Sequence, residues 1–408
     1  MFDNVKIPVK MLLMVIVPII GILIFAAQDI SVKLTTLHSL QTTRILTAFA
    51  IKSGSLIHQL QKERGLTTGF ISSKGDKFRT ELSKQRVDTD SQIRELKFYS
   101  SSNKNNLELV RERLDAAGSL LEKLAMIRAD VDSMKLEPKD SLAYYTRTIS
   151  SYLDVVAQIT IMSMNPELTR EAMAYHAFLS VKEQAGLERA TLSGVFATNR
   201  FDNKTYEDYV GIAAAQATFL DVFNKFADTY HQKAYLEKMN APFYQQVEEM
   251  RSIALARRLT GDFGIRPENW FTTSTAMINA MKEMEDMLAT HMAEKSDRLA
   301  SAARLSLALS VFTAACSSAV TLLFGFIVMI GINAPLKTMA IVLKDMADGK
   351  KDLTRRLDID RKDEVGEVCR WFNRLMDSLE SLLPQGEGGR RPDEGATVPH
   401  KSSSAPSP

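Results

Sequence analysis

The sequence predicts an all-α protein in which two transmembrane helices flank an elongated outer domain of about eight helices, followed by a shorter pair of helices. Three observations indicate this fold. Glycine (19) and proline (12) are scarce in the 408 residues, and a low content of helix breakers favours helices. Two uncharged apolar blocks lie near the two ends of the chain. Between them, apolar residues recur every three to four positions, whereas the alternation typical of strands is absent.

The composition excludes several functional classes. Lysine and arginine (51) nearly balance aspartate and glutamate (49), for a net charge of +2, so no basic field indicates a nucleic-acid partner. The two cysteines, Cys316 and Cys369, exclude a disulfide scaffold and a cysteine-rich metal site. No P-loop, dinucleotide glycine fingerprint or H-E-x-x-H motif occurs, and the six histidines show no metal-ligand spacing. The sequence therefore predicts no enzyme, no metal site and no cofactor.

The apolar blocks comprise 17 residues at 11–27 and 28 residues at 305–332. A bilayer core requires about 20 apolar residues, with about 17 as the lower limit, so both blocks are predicted to span a membrane. The alternative for the first block is a cleaved signal peptide, but its apolar run is longer than usual and no clean A-x-A site follows. Lysines precede the first block and follow the second, which predicts that both chain termini are cytoplasmic.

The segment between the blocks, residues 29–304, contains no cysteine and is predicted to be held together by helix packing alone. Turn signals divide it into eight helical segments, which suggest two four-helix bundles or one long bundle with a second layer. The first segment alone would rise about 60 Å. The predicted segments are 30–71, 76–99, 104–134, 138–164, 167–198, 204–239, 243–259 and 268–304.

Two arginines lie on helical faces that otherwise carry small, apolar or hydroxyl side chains. Arg64 and Arg189 have no carboxylate three or four residues away in their own segments. An inward-facing arginine needs an anion, and a bound ligand could supply it. The alternative is a structural ion pair with Glu63, Glu188 or a distant carboxylate across the bundle. The spacing alone leaves both interpretations open.

Two stretches, LIHQLQKERGLTTGFISSKGDKF and GLERATLSGVFATNRFD, resemble the signature segments of the NIT domain, a helical nitrate- and nitrite-sensing module of bacterial receptors. The resemblance covers most of 50–297. It implies that arginines on facing helices bind the anion without a metal. The residues that it assigns to the site are Arg64, Arg189 and Arg251, with Thr67, Thr68 and Ser193 as possible neutral donors. Arg251 is the weaker match, because Glu248 at i−3 could pair with it.

The ligand class and location follow from this resemblance. Nitrate is planar and singly charged, and a guanidinium can donate two parallel hydrogen bonds to it. Arg64 lies 36 residues after Gln28, or about 54 Å along a continuous helix, so we expect a site far from the membrane. The run Met277, Met281, Met284 and Met287 follows one helix face and is interpreted as core and not as a copper site.

The stretch after the second block resembles a HAMP linker. Its landmarks are Pro335, the G-x-x-D-L-T stretch Gly349 to Thr354, the D-E-x-G motif Asp363 to Gly366, and Phe372-Asn373. Its two helical pieces are too short to be stable alone, which implies a parallel dimeric bundle. The alternative is an amphipathic helix lying on lipid. We expect Pro335, Glu364 and Gly366 to transmit the signal, with Glu364 setting the helix register and Gly366 leaving space.

The sequence therefore predicts a homodimeric two-pass sensor of nitrate or nitrite in the bacterial inner membrane. Residues 384–408 are rich in glycine, proline and serine and are expected to be disordered. Because no output domain follows, a truncated receptor, or an adaptor that joins full-length receptors or chemotaxis proteins, is an alternative, as is a sensor of an amino acid or carboxylate. The predicted boundaries are 1–10 (cytoplasmic), 11–28 (first span), 29–304 (outer domain), 305–332 (second span), 333–383 (HAMP) and 384–408 (tail).

Overall fold

The structure is a computed structural model that describes residues 5–162, 165–348, 356–357 and 362–382. Within these residues the protein is helical and contains no strand, which confirms the predicted fold class. The helices are α1 (Ile7–Ser72), α2 (Arg79–Ser102), a 3₁₀ turn (Glu108–Val110), α3 (Arg111–Glu122), α4 (Leu124–Asp132), α5 (Pro138–Met162), α6 (Pro166–Thr198), α7 (Asn203–Phe226), α8 (Thr229–Met239), α9 (Pro242–Ala256), α10 (Pro267–Ala347) and α11 (Glu364–Leu382).

The two longest helices each contain one of the apolar blocks. α1 continues through Pro18, and α10 continues through Pro335. Both are long and apolar enough to cross a membrane, with windows of mean hydropathy 2.7 and 2.2 that are 0% buried. Because these windows are not covered by protein, they do not belong to the core of the helical domain. The two candidate spans therefore flank a helical domain, as predicted.

The chain divides into two compact units. One unit comprises residues Ala27–Val311, and the other combines the described residues up to Ala26 with those from Phe312 onward. Two predicted segments of the first unit are divided into shorter elements. Segment 104–134 becomes the 3₁₀ turn, α3 and α4, and segment 204–239 becomes α7 and α8. The second break has a local cause, since Asp228 caps α8 by accepting a hydrogen bond from the His231 amide at 2.8 Å.

Helix α6 packs closely against α1. A methyl group added at Gly54 of α1 would overlap the hydroxyl of Tyr175 on α6, so only glycine permits this approach. Asn165 begins α6 by accepting from the amides of Glu167 and Leu168 at 3.0 and 3.1 Å, and Pro166 occupies its first turn. This close approach fixes which side chains of the two helices face each other.

A continuous apolar core joins the helices of the first unit. Met277, Met281 and Met284 are buried in it, and Met287 packs against it, as the sequence predicted. Trp270 is fully buried, and its indole N–H donates to the Arg189 carbonyl at 3.0 Å. The core therefore positions α10 against the part of α6 that carries Arg189.

The second unit has a small core of its own. Val342, Leu357, Cys369, Phe372 and Met376 are buried together. Asn373 accepts from the Leu357 amide and donates to the Leu357 carbonyl, both at 2.9 Å, so this side chain holds Leu357 against α11. The glycine motif at 349–354 and the tail at 384–408 lie outside the described residues.

Candidate functional site

The structure brings Arg64 and Arg189 together across the contact between α1 and α6. A Cβ atom at Gly186 would lie 3.1 Å from Nη2 of Arg64, and one at Gly65 would lie 3.4 Å from Nη2 of Arg189. The guanidinium of Arg64 therefore lies over Gly186 of α6, and the guanidinium of Arg189 lies over Gly65 of α1. A side chain at either position would contact a guanidinium, so the absence of side chains at Gly65 and Gly186 makes room for the two arginines.

Arg64 is buried and has a carboxylate partner on the facing helix. Its Nη1 and Nη2 donate to Oε1 and Oε2 of Glu183 at 2.5 and 3.1 Å, and Nη1 also donates to the Thr146 hydroxyl at 3.0 Å. Gln61 donates to Oε2 of Glu183 at 2.8 Å. For Arg64, the structural ion pair with a distant carboxylate is therefore present. The spacing within its own helix could not reveal Glu183, which lies on α6.

Arg189 is partly buried and has no such partner. Its Nη1 donates to the Thr275 hydroxyl at 2.8 Å, and its guanidinium lies 4.9 Å from the centre of the Phe271 ring. Within the described part of the chain, no carboxylate lies at ion-pair distance from it. Burial, reinforced by the positive charge of Arg64, lowers the pKa of Arg189 to about 10. Arg189 is therefore still cationic at neutral pH.

The other buried charges of this unit are paired, which makes Arg189 exceptional. Among the described residues, each buried lysine, glutamate and arginine has an oppositely charged partner. The pairs are Glu63 with Arg128, Arg64 with Glu183, Lys182 with Glu285, and Glu188 with Arg251. The site formed by Arg64, Arg189 and Glu183 carries two positive charges and one negative charge. This local excess of one positive charge in a region of reduced dielectric favours a monovalent anion.

Arg251, the third arginine suggested by the resemblance, is held by carboxylates. It lies on α9, where Nε donates to Oε1 of Glu188 at 2.6 Å and Nη2 contacts Oε2 of the same side chain. Glu248 also pairs with it, as the i−3 spacing suggested, and Gln216 accepts from Nη2 at 3.2 Å. Its described hydrogen bonds and ion pairs do not include Arg64 or Arg189. The charge of Arg251 is therefore already compensated.

The three hydroxyl side chains suggested as donors differ in their contacts. Thr68 donates to the Arg64 carbonyl at 2.9 Å, and Ser193 donates to the Arg189 carbonyl at 2.7 Å, so both protons are used within their own helices. Thr67 is buried, and its hydroxyl lies beside that of Tyr145. The hydroxyls that contact the guanidiniums are those of Thr146 and Thr275, which the sequence did not indicate because they lie on α5 and α10.

A separate cavity of about 710 Å³ lies between α6, α7, α9 and α10. Arg251 and Glu188 line one part of it, together with tyrosines and with the buried methionines of α10. Because its arginine is already paired with that glutamate, the cavity offers no uncompensated positive charge. It is larger than a four-atom anion needs.

Together these features define a helical module with an interhelical site of excess positive charge on α1 and α6. Of the helices that contact this site, α1 and α10 also contain the candidate membrane spans. Comparison with known families agrees. The model described as nitrate and nitrite sensing (NIT) matches residues 55–293, and the HAMP domain model matches residues 328–381. The chain therefore belongs to the NIT family and carries a HAMP domain, which confirms both resemblances. Neither is an enzymatic kind of domain.

Known relatives match different lengths of this chain. The nitrate regulatory protein of Klebsiella oxytoca is 24% identical over 253 residues, covering 60% of this chain and 62% of that protein. The methyl-accepting chemotaxis protein TlpQ of Pseudomonas aeruginosa is 42% identical over 53 residues, covering 13% of this chain and 7% of that protein. The chain thus spans less than two thirds of the length of these relatives. A solved structure, titled "Structure of the NasR transcription antiterminator", has a TM-score of 0.61 at 18% identity, covering 89% of this chain and 100% of that one. This likeness shows the fold.

Because only Arg64 is paired with a carboxylate, replacing the two arginines should change the free energy of unfolding by unequal amounts. Arg64→Met leaves the buried Glu183 carboxylate without its cation and should reduce the free energy of unfolding by about 3–5 kcal/mol. Arg189→Met removes a cation that has no carboxylate and should change it by less than about 1 kcal/mol. Chemical denaturation of both variants in nitrate-free buffer measures the difference. Equal losses of stability would contradict the assigned charge distribution.

Proposed function

We propose that this protein is a transmembrane sensor that binds nitrate or nitrite between α1 and α6. The observation that carries the proposal is the partly buried guanidinium of Arg189, which faces Arg64 and has no carboxylate partner among the described residues. The family adds the ligand class, because its model is described as nitrate and nitrite sensing. A bound monoanion would neutralise the local charge excess.

The charges of the site favour this ligand over more highly charged anions. With Arg64, Arg189 and Glu183 ionised, one negative charge makes the site neutral, whereas a dianion such as sulfate would leave an excess negative charge in a desolvated place. Nitrate is planar and can accept two parallel hydrogen bonds from one guanidinium. Thr67, Thr68 and Ser193 are the neutral donors that we propose for this site, and Thr68 and Ser193 would have to turn their hydroxyls from the helix carbonyls toward the anion.

Arg251 has an indirect role in this proposal. It holds Glu188, which precedes Arg189 in α6, and thereby fixes this turn of the helix. We therefore expect Arg251→Ala to weaken anion binding, and Arg64→Ala and Arg189→Ala to abolish it. The difference follows from the contacts, because only Arg251 has its charge shared between two glutamates.

The site contacts both helices that contain candidate spans. Arg64 belongs to α1, while Thr275 and Phe271, which contact Arg189, belong to α10. A ligand that binds two arrangements of these helices with different affinity shifts the balance between them. We propose that the shift passes along α10 through Pro335 to the HAMP domain, where Glu364 and Gly366 begin α11.

The proposed setting is the bacterial inner membrane, crossed twice, with both termini in the cytoplasm and the chain acting as a homodimer. The local match to methyl-accepting chemotaxis proteins supports full-length receptors or chemotaxis signalling proteins as partners. In the described structure Glu364 is exposed, and Asp363 accepts from the Gly366 amide at 2.9 Å. We therefore assign the capping of α11 to Asp363 and leave the Glu364 side chain for contacts beyond its own helix.

Anion binding is tested by calorimetry with the full chain in detergent. Arg189→Gln should reduce the affinity for nitrate by roughly 30- to 150-fold, since about 2–3 kcal/mol of charge-assisted hydrogen bonding is lost. Arg170→Gln is the matched control, because Arg170 lies on the same helix and is exposed. Nitrate binding by Arg189→Gln at wild-type affinity would refute the assigned site. Titrations with chloride, acetate and sulfate establish the ligand class.

The pH dependence follows from the lowered pKa of Arg189, about 10 in the anion-free protein. Below this pH the guanidinium is charged, so nitrate affinity should stay constant between about pH 7 and 9. Above about pH 10 the affinity should fall by about tenfold per pH unit, because the neutral side chain must regain a proton before it can pair with the anion. Calorimetry across this range measures the profile. An affinity that falls between pH 6 and 8 would assign the binding charge to another group.

Signal transmission is tested with a fusion of residues 1–383 to a chemoreceptor output module. Pro335→Ala and Glu364→Ala should change the size of the nitrate response, because they alter the helices that pass on the change. Glu367→Ala is the matched control, since it is another exposed acidic residue of the first turn of α11. If all three variants responded like the unmodified fusion, transmission through these residues would be wrong.

A further inference from the structure

A second cluster of polar side chains lies in the first unit and is distinct from the arginine site. It consists of Asp228, His231 and His291, whose candidate ligand atoms all lie within 4.8 Å of one another. Asp228 and His231 stand at the beginning of α8, and His291 projects from α10. The two imidazole rings have centroids 4.8 Å apart and an interplanar angle of 59°. The fold thus assembles two imidazoles and a carboxylate from distant parts of the sequence.

Two nitrogen atoms of this cluster are buried and make no hydrogen bond. His231 is 3% exposed, and its Nε2 has no hydrogen-bond partner. Nδ1 of His291 makes no hydrogen bond either, and the atom that faces it, Oε2 of Glu171 at 3.4 Å, is also buried without one. Because buried polar atoms without partners are costly, three of them in one place point to a bound group that would satisfy them.

Asp228 prepares His231 for a metal ion. One of its carboxylate oxygens lies 2.7 Å from Nδ1 of His231 and also accepts from the His231 amide at 2.8 Å. A carboxylate that accepts the Nδ1 proton fixes the tautomer in which Nε2 carries the lone pair. The unpartnered atom of His231 is therefore the one that this contact makes available for coordination.

We propose that Nε2 of His231, Nδ1 of His291 and the carboxylate of Glu171 form a binding site for a divalent transition-metal ion of the Zn²⁺ class, with Asp228 orienting His231 from its Nδ1 side. Two imidazoles and a carboxylate are ligands that Zn²⁺, Ni²⁺ and Cu²⁺ accept, whereas Ca²⁺ and Mg²⁺ prefer oxygen ligands. Glu171 of α6 supplies the carboxylate oxygen, which lies 3.4 Å from Nδ1 of His291. Its other oxygen accepts from Lys295 at 2.8 Å, which fixes the orientation of the carboxylate.

The site would connect α8 to α10, the helix that contains the second candidate span. A bound ion would therefore clamp α10 at His291, between the part that contacts Arg189 and the apolar block. Because α10 carries the proposed signal, the metal would bias its position without touching the anion. The metal site does not depend on the proposed nitrate function, since it shares no residue with the arginine site.

The test uses the full chain, purified in detergent without a polyhistidine tag and treated with a chelator. Zn²⁺ is titrated in competition with a chromophoric chelator, and we expect one tight site per chain in the wild type. His231→Gln and His291→Gln should each reduce the affinity by at least about 100-fold, since loss of an outer-shell partner alone costs 10- to 100-fold. His176→Gln is the matched control, because His176 is a partly buried histidine outside the cluster.

A second measurement separates this site from the cysteines and from unfolding. Co²⁺ in place of Zn²⁺ should give visible bands without thiolate charge transfer, because the ligands are nitrogen and oxygen. His291→Gln keeps the test decisive if His231→Gln fails to fold, since 28% of the His291 side chain is exposed. A wild type that binds no Zn²⁺, or histidine variants that bind it like the wild type, would overturn the site and leave a structural histidine–aspartate contact.

Discussion

Two guanidinium groups face each other across the contact of α1 and α6, and among the described residues only one carboxylate, that of Glu183, compensates them. Arg64 and Glu183 form the buried pair, while Arg189 has Thr275 and the Phe271 ring as neighbours. Like charges in a desolvated place repel strongly, so this arrangement persists only because the surrounding helices hold it. The ion pairs of Glu63 with Arg128 and of Lys182 with Glu285 join α1 to α4 and α6 to α10, respectively. The proposed anion would neutralise the one positive charge that Glu183 does not compensate.

The position of the two arginines links the proposed anion binding to the long helices α1 and α10. α1 and α10 run without interruption from residues of the site into the candidate spans, and rigid helices can transmit a displacement over such distances. In the proposed function, a bound anion would reduce the repulsion between Arg64 on α1 and Arg189 on α6, and Arg189 contacts α10 through Thr275. In the second unit, Asn373 joins Leu357 to α11 through two hydrogen bonds to the Leu357 backbone.

The helical fold and the candidate spans could be predicted from local spacing and composition, whereas the facing positions of Arg64 and Arg189 were implied by the resemblance to the NIT domain. The partners of the arginines could not be predicted in this way. Glu183 and Thr275 meet the guanidiniums only after α1, α6 and α10 pack in a particular order, which periodicity does not specify. The break before α8 could have been predicted from Asp228, because aspartate is a favourable N-cap residue. His231 and His291 lie 60 residues apart, so their contact depends entirely on tertiary packing.

The most direct test of the central claim is an experimental structure of the full chain in the presence of nitrate. The account predicts density for one planar anion within hydrogen-bond distance of the guanidiniums of Arg64 and Arg189, with the carboxylate of Glu183 still beside Arg64. Density beside Arg251 in the cavity between α6, α7, α9 and α10, or a site without nitrate at saturating concentration, would contradict it.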